Sequence, residues 1–466
     1  MTSFITTTNP ATGQTLQQYA AWTPAQVDQA VDQAHAAAVA WGRQALATRV
    51  AAVRRLADTL RAHKQELAAL VTAEMGKPLA EAEGELEKSA VTALYYADNA
   101  ARLLADEPAA IDGVDAWVSY EPMGLVLAVM PWNFPVWQVM RFAIPSLVVG
   151  NGILLKHSPN VTGSALALQT LLEKAGLPPQ LLTTLVVAEP EVPETIERLI
   201  ADDRIAAVTL TGSNRAGAAV GAAAGRASKK SVLELGGSDA FVVLDDADVA
   251  LAAATAVKAR FHNGGQSCVC AKRFIVAASV AETFTRLFVE GTRALKLGDP
   301  TDPATQLGPL ARGDLRDALA RQVAQSVAAG AKLLTGGSAI DQPGFFFEPT
   351  VVADAAPGMA VFDEETFGPV AAIAVAQDDA DAVRLANASP FGLSLSIWTA
   401  STERGVQLAK QITSGAAFIN AASASDARLP FGGTKKSGNG RELAAPGLRE
   451  FCNTRTYWAA RDRAAR

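Results

Sequence analysis

Gly124-Leu-Val-Leu-Ala-Val-Met130, followed at once by Pro131-Trp-Asn-Phe-Pro135, is the stretch on which the fold turns. A short apolar run, opened by glycine and closed by a proline-bracketed turn, reads as a β-strand. Runs of the same kind recur at Gly152-Ile-Leu-Leu-Lys156, Leu181-Leu-Thr-Thr-Leu-Val-Val187, Ile205-Ala-Ala-Val-Thr-Leu210 and Ser231-Val-Leu-Glu-Leu235, with helical stretches between them. That alternation predicts a doubly wound α/β domain. Upstream of Gly113 the first hundred residues read as helices, alanine-rich and with periodic apolar positions across Val50–Leu70 and Glu81–Ala101. Downstream, a second α/β series begins near Phe241-Val-Val-Leu244 and runs to about Asn420, through Phe274-Ile-Val276, Val370–Val375 and Ser394–Trp398. Two isolated β-prone segments, Ala116–Tyr120 and Phe451–Trp458, are expected to pair with each other or with another subunit.

A chain of 466 residues exceeds the size of one core, so two or three domains are expected. At 49% hydrophobic and 19% charged it has an ordinary globular composition, and no apolar run reaches membrane-spanning length. A net charge of −6 offers no basic surface for nucleic acid, which leaves small molecules as the expected partners. The cysteines are three, Cys268, Cys270 and Cys452, and the N-terminus has no basic segment leading into an apolar one. Both features point to a reducing cytoplasm.

Three segments carry candidate chemistry. In Phe261-His-Asn-Gly-Gly-Gln-Ser-Cys268 a thiol follows a glycine loop in which Gly264 and Gly265 let the backbone approach a ligand closely. A lone cysteine is either a small buried hydrophobe or a nucleophile. In Leu233-Glu-Leu-Gly-Gly237, Glu234 ends an apolar strand; burial there raises a carboxyl pKa and suits a general base, the alternative being a salt-bridged strand end. Asn133, between Pro131 and Pro135, is either a turn former or an oxyanion donor through its amide.

Taken together, PWNFP, LELGG, NGGQSC and Glu364-Glu-Thr-Phe-Gly-Pro369, with Thr211-Gly-Ser213 and Pro430-Phe-Gly-Gly433 in register, resemble the aldehyde dehydrogenase superfamily over essentially the whole chain. The resemblance implies a Rossmann-like cofactor domain, an α/β catalytic domain and a β-strand oligomerisation extension in a homodimer or homotetramer. The corresponding ranges are 1–112 and 126–235 for the cofactor domain, 236–428 for the catalytic domain, and 113–125 with 429–466 for the bridging segments. It further implies that Cys268, as thiolate, adds to an aldehyde carbon while Asn133 and the Cys268 backbone N–H hold the oxyanion. Hydride then passes to a nicotinamide, and Glu234 activates the water that hydrolyses the thioester. No metal is implied.

The cofactor, NAD or NADP, is not announced by a G-x-G-x-x-G, since Gly212, Gly217 and Gly221 have other spacing. The resemblance places it instead against Pro131, Trp132, Lys156, Ser158, Thr211, Gly212, Ser213, Leu235, Glu365 and Phe367. Lys156 is implied at the adenosine ribose, Thr211–Ser213 near the pyrophosphate at a helix N-terminus, and Glu365 with Phe367 at the nicotinamide ribose. NAD-preferring members often carry a glutamate where this chain has Pro159; losing that charge admits a 2′-phosphate without attracting it, so the preference stays open.

Arg141, in an otherwise apolar and helical-looking stretch, seeks an anion: either an ion-pair partner within the protein or a substrate carboxylate. Here, and in Ala424-Ser-Asp-Ala-Arg428, Gly433-Thr-Lys-Lys-Ser-Gly438 and Phe451-Cys-Asn453, the chain is similar to bacterial NAD(P)-dependent succinate semialdehyde dehydrogenases. That likeness implies Arg141 and Ser425 on the distal carboxylate, with His262 standing at a third position, where the family has an arginine. Glutarate semialdehyde and general aliphatic or aromatic aldehydes are the alternative substrates, and a non-catalytic crystallin-like protein is the rival of another class. Cys270, two residues after the nucleophile, is similar to a partner in a redox switch; a disulfide so closely spaced would be strained and easily reduced, and simple packing is the other reading.

Overall fold

Leu125–Met130 lies inside a six-stranded sheet whose order, from one edge, is Gly438–Asn439, Lys230–Glu234, Ile205–Thr211, Leu125–Met130, Gly152–His157 and Leu182–Thr184. This is seen in a computed structural model that describes residues 3–460; the outermost residues of two ranges expected above, 1–2 and 461–466, lie outside it. All pairings in the sheet are parallel except that of Gly438–Asn439 with Lys230–Glu234. The chain builds outward from Leu125–Met130 in one direction and then returns to its other side at Ile205–Thr211. Such a reversal of strand order leaves a crevice at the carboxyl ends of the strands, where ligands bind in open α/β sheets. Trp132 and Asn133, Gly212 and Ser213, and Leu235 all follow strands that end there.

The second series forms a seven-stranded sheet, ordered Lys332–Thr335, Thr350–Ala353, Val370–Ala376, Ala271–Ala277, Asp239–Val243, Ser394–Trp398 and Ala416–Ile419, with only its first strand antiparallel. The two isolated strands do pair with each other: Cys452–Ala460 runs antiparallel to Val114–Pro122, and Glu107–Ala109 completes a three-stranded sheet. Trp117 and Tyr457 are register partners there, and their rings stack at 4.8 Å.

The expectation of helices throughout the first hundred residues needs one correction. The chain opens with an antiparallel hairpin, Phe4–Thr8 against Thr15–Ala20. Its threonines favour strand, and Asn9-Pro10 with Gly13 at φ 74° makes the turn, the Asn9 side chain accepting from Ala11 N–H at 2.8 Å. The run Val50–Leu70 is two helices, Leu46–Ala62 and Lys64–Met75, broken at His63. Leu79–Leu103 is one helix whose buried positions, including Ala82, Glu85, Leu86, Ser89 and Ala93, recur at three- and four-residue spacing. It packs against Trp137–Val149, a helix buried along its whole length despite Pro145.

Candidate active site

Two loops meet at the crevice and are tied together through their backbones. The Asn133 side-chain amide donates to the Gln266 carbonyl at 3.0 Å, and the Asn263 amide donates back to the Asn133 carbonyl at 3.0 Å. Gln266 is fixed in turn by the Ala311 N–H, which donates to its Oε1 at 2.9 Å. Asn263, Gly264 and Gly265 all take positive φ, and a side chain at Gly265 would lie 2.3 Å from the Gly368 carbonyl. The glycine loop is therefore a conformational requirement, and it delivers Cys268 beside Asn133.

Cys268 forms part of the wall of two cavities. One, of about 270 Å³, is lined by Pro131, Trp132, Asn133, Thr211, Gly212, Ser213, Leu235, Glu365 and Phe367. The other, of about 540 Å³, is reached by Phe134, Lys88, Arg141, His262 and Ser425. Gln138, which sequence reading did not single out, also lines both, and its buried Oε1 has no hydrogen-bond partner.

The first cavity suits a dinucleotide. Ser213 caps the helix Asn214–Arg226 and lines this cavity, so the N-terminal end of that helix lies where a pyrophosphate can be held. Trp132 and Phe367 meet edge to face, 5.6 Å between centroids. Glu365 accepts from Gly237 N–H at 3.0 Å and forms an ion pair with Lys272 at 3.3 Å. Lys156 and Ser158 do not line this cavity. Lys156 is buried at the end of its strand and donates to the His157 carbonyl at 2.6 Å; burial lowers it to about 8, opposed by the charge of Glu189. Ser158 donates to Asn160 Oδ1 at 2.7 Å, beside the short turn Pro159–Val161.

Lys272, two residues before the run Phe274-Ile-Val276, escaped the sequence reading. It is buried, and its ammonium donates to the Ser267 and Cys268 carbonyls at 2.9 Å each. One side chain thus joins the backbone of the Cys268 loop to the carboxylate of Glu365.

The electrostatics at Cys268 oppose a resting thiolate. Burial pushes the thiol up to about 12, with Arg141 and Lys272 pulling it back and Glu365 and Glu234 pushing it further. Glu234 is buried, and among the described residues its carboxyl oxygens have no hydrogen-bond partner. It packs toward Gly432, where an added methyl would lie 2.7 Å from Oε1. Burial, and then the neighbouring Glu442 carboxyl, raise it well above the ordinary carboxylate range, opposed by Arg141 and Arg441. Both shifts oppose ionisation, and a carboxylate whose proton affinity has been raised is a better match for a thiol than an ordinary carboxylate is.

Of the three residues expected on a substrate carboxylate, two already face carboxylates of the protein. Arg141 pairs with buried Glu442 and lies 4.5 Å from the Phe431 ring centroid, so of its two readings the internal ion pair is present. His262 stands at the cavity mouth with Nδ1 3.0 Å from Glu81. Ser425 accepts a 2.6 Å hydrogen bond from Lys88. Cys270 is buried, with its sulfur 3.6 Å from the His262 carbonyl. Among the described residues no helix is long and apolar enough to cross a membrane, and no cluster of three or more His, Cys, Asp or Glu could hold a metal ion.

With this geometry in hand, comparison with known proteins is decisive. The model of the aldehyde dehydrogenase family matches residues 2–457. The chain belongs to that family. It is 47% identical to an NAD(P)+ succinate semialdehyde dehydrogenase of Escherichia coli, covering 97% of both chains. It is equally similar, at 47%, to an NADP+ succinate-semialdehyde dehydrogenase of Mycobacterium ulcerans, covering 97% of this chain and 99% of the relative. Among solved structures, succinic semialdehyde dehydrogenase from Streptococcus pyogenes, in complex with NADP+, superposes with a TM-score of 0.94 at 36% identity, over 98% of this chain and all of that one. The aldehyde dehydrogenase fold expected from sequence is therefore the fold of this protein.

Proposed function

We propose that this aldehyde dehydrogenase oxidises succinate semialdehyde, or a similar short aldehyde bearing a distal carboxylate, to the acid with NAD+ or NADP+. The observation that carries the reading is the place of Cys268 in a wall common to two cavities, one lined by the cofactor candidates and the other reached by Lys88, Arg141 and His262. The names of the relatives support the same substrate.

In this reading the ionised form of Glu234 takes the thiol proton as Cys268 adds to the aldehyde carbon, and releases it to solvent before deacylation. The second hydrogen of the Asn133 amide, the first being bonded to Gln266, and the Cys268 N–H hold the oxyanion. A nicotinamide held in the first cavity would supply the acceptor for the hydride lost as the carbonyl re-forms. The resulting Cys268 thioester is hydrolysed by water that Glu234 deprotonates. Pro131, Trp132, Thr211–Ser213, Leu235, Glu365 and Phe367 would hold the cofactor, with Lys156 and Ser158 at its adenosine end.

We assign the cofactor domain to 1–112 and 126–235, the catalytic domain to 236–428 and the bridging segments to 113–125 and 429–466. The outer edge of Cys452–Ala460, which has no strand beside it among the described residues, suits pairing in a cytoplasmic homodimer or homotetramer.

A steady-state panel tests the substrate and the cofactor together. Succinate semialdehyde, glutarate semialdehyde, butyraldehyde and benzaldehyde are each offered with NAD+ and with NADP+, and NAD(P)H absorbance is followed. The highest kcat/KM is expected for succinate semialdehyde; equal values for butyraldehyde would refute the substrate, and no turnover, in a protein whose Cys268→Ala variant behaves identically, would refute the activity.

A further inference from the structure

The cavity beyond Cys268 is surrounded by cations, and most are already matched. Arg141 has Glu442, His262 has Glu81, and Lys77 has Glu85 at 2.7 Å. Lys88 differs. Among the described residues its ammonium makes no ion pair, and its hydrogen bond is the one it donates to Ser425 Oγ.

An ammonium has three N–H donors, so two remain to be satisfied. A hydroxyl that accepts from Lys88 keeps its own O–H free to donate. Trp137 flanks the group, with Nζ 4.5 Å from its ring centroid, and leaves no acceptor on that side. The charges facing it are Arg141 from the helix Trp137–Val149, Asp426 from the loop that carries Ser425, and Glu85 from its own helix. Burial, reinforced by Arg141, lowers Lys88 to about 8. A cation already stripped of much of its water, with donors to spare and a hydroxyl beside it, is a preorganised receptor for a carboxylate.

We propose that Lys88, together with the Ser425 hydroxyl, binds the distal carboxylate of the substrate. The geometry gives Arg141 a different place: its guanidinium supports the site from an internal ion pair while Lys88 meets the ligand. The helix Leu79–Leu103 supplies this contact one turn after Glu85, whose carboxylate accepts from the Val136 and Trp137 N–H groups at 2.6 and 2.7 Å. The same helix therefore orients the loop of Asn133 and sets the substrate's far end.

The proposal rests on the reading of a carboxylate-bearing substrate, and the experiment separates the two. The measured quantity is the ratio of kcat/KM for succinate semialdehyde to that for butyraldehyde, in wild type, Lys88→Met, Lys88→Arg and Ser425→Ala. Losing a charge-assisted contact is expected to lower the ratio about 10- to 100-fold in Lys88→Met, chiefly through the KM of the acid aldehyde. Lys88→Arg restores most of it, and Ser425→Ala lowers it less. Because both substrates are assayed on one preparation, a folding defect cancels from the ratio. A wild type with no preference for the acid aldehyde overturns the substrate reading and the role of Lys88 with it. A clear wild-type preference that persists in Lys88→Met overturns Lys88 alone.

Discussion

Arg141 and Glu442 form an ion pair buried to within 2% of full enclosure on both side chains, close enough to Glu234 for both charges to act on its carboxyl. Neither charge could stand there singly, because stripping an ion of water is costly unless a counter-ion replaces the lost hydration. Removing Glu442 leaves the guanidinium unpaired. Glu442→Gln is expected to destabilise the protein by about 3–5 kcal/mol, seen as a lower denaturant midpoint at constant m. The glutamine also removes a like charge that helps raise Glu234. The pH at which hydrolysis of the acyl-enzyme switches on should therefore move downward in this variant, and an unmoved profile would detach Glu442 from Glu234.

Glu234 itself should show opposite effects on stability and on activity. Its pKa is raised in the folded state, so folding favours the protonated form: the stabilisation is fully present below the unfolded carboxyl pKa and is lost as pH rises through the folded value. At neutral pH a glutamine, which never ionises, should melt no lower than wild type. Deacylation should meanwhile slow by about 10²–10⁴-fold, the usual contribution of a positioned base. Mass spectrometry of Glu234→Gln during turnover should find the acyl adduct on Cys268. A variant that turns over normally would remove Glu234 from the mechanism.

Lys272 contacts the carbonyls of Ser267 and Cys268 on one side and Glu365 on the other. Its role is positioning, and the readout must separate that from simple stability. In Lys272→Met, Glu365 loses its cation and the nucleophile loop its anchor. The KM for the cofactor is expected to rise roughly tenfold, the scale of a hydrogen bond to a charged group, with a concurrent fall in the rate of Cys268 alkylation by iodoacetamide. A change in melting temperature with neither kinetic effect would reduce Lys272 to a structural residue.

What the sequence discloses about this site follows from the range of each interaction. PWNFP, LELGG and NGGQSC are local: each combines a strand end, a turn and one reactive group, so the residues that need one another lie within a few positions. The strands Gly152–His157 and Ser394–Trp398 are legible for the same reason, since a short apolar run bounded by turns depends on little else. The opening hairpin was hidden because its strands are polar on both faces and mostly exposed, leaving no apolar period to detect. Glu442 and Lys88 escaped because their partners are distant in sequence, and Lys272 because its link to Glu365 is, although the Ser267 and Cys268 carbonyls lie close by. Ser425 lies far along the chain from Lys88, and no spacing rule in a single sequence connects a helix near residue 88 to a loop near 425. Arg141 is instructive in another way: its need for an anion was readable, but which anion was a question of three-dimensional neighbours.

Cys270 offers the last test, of a redox lock on Cys268. In the reduced chain both thiols are free, and Cys270 is buried with burial raising its pKa, which disfavours the thiolate that begins an exchange. Peroxide would instead oxidise Cys268, the more accessible sulfur, to a sulfenic acid; attack by the Cys270 thiol then expels water and forms the disulfide, two electrons having passed to the peroxide. Since the two positions are separated by a single residue, the bond would be strained and readily reduced by dithiothreitol. Wild type should lose activity with peroxide and regain it with dithiothreitol, whereas Cys270→Ala should lose the recoverable fraction as Cys268 proceeds to sulfinic acid. If recovery is as complete in Cys270→Ala as in wild type, Cys270 serves packing alone, in keeping with its contact to the His262 carbonyl.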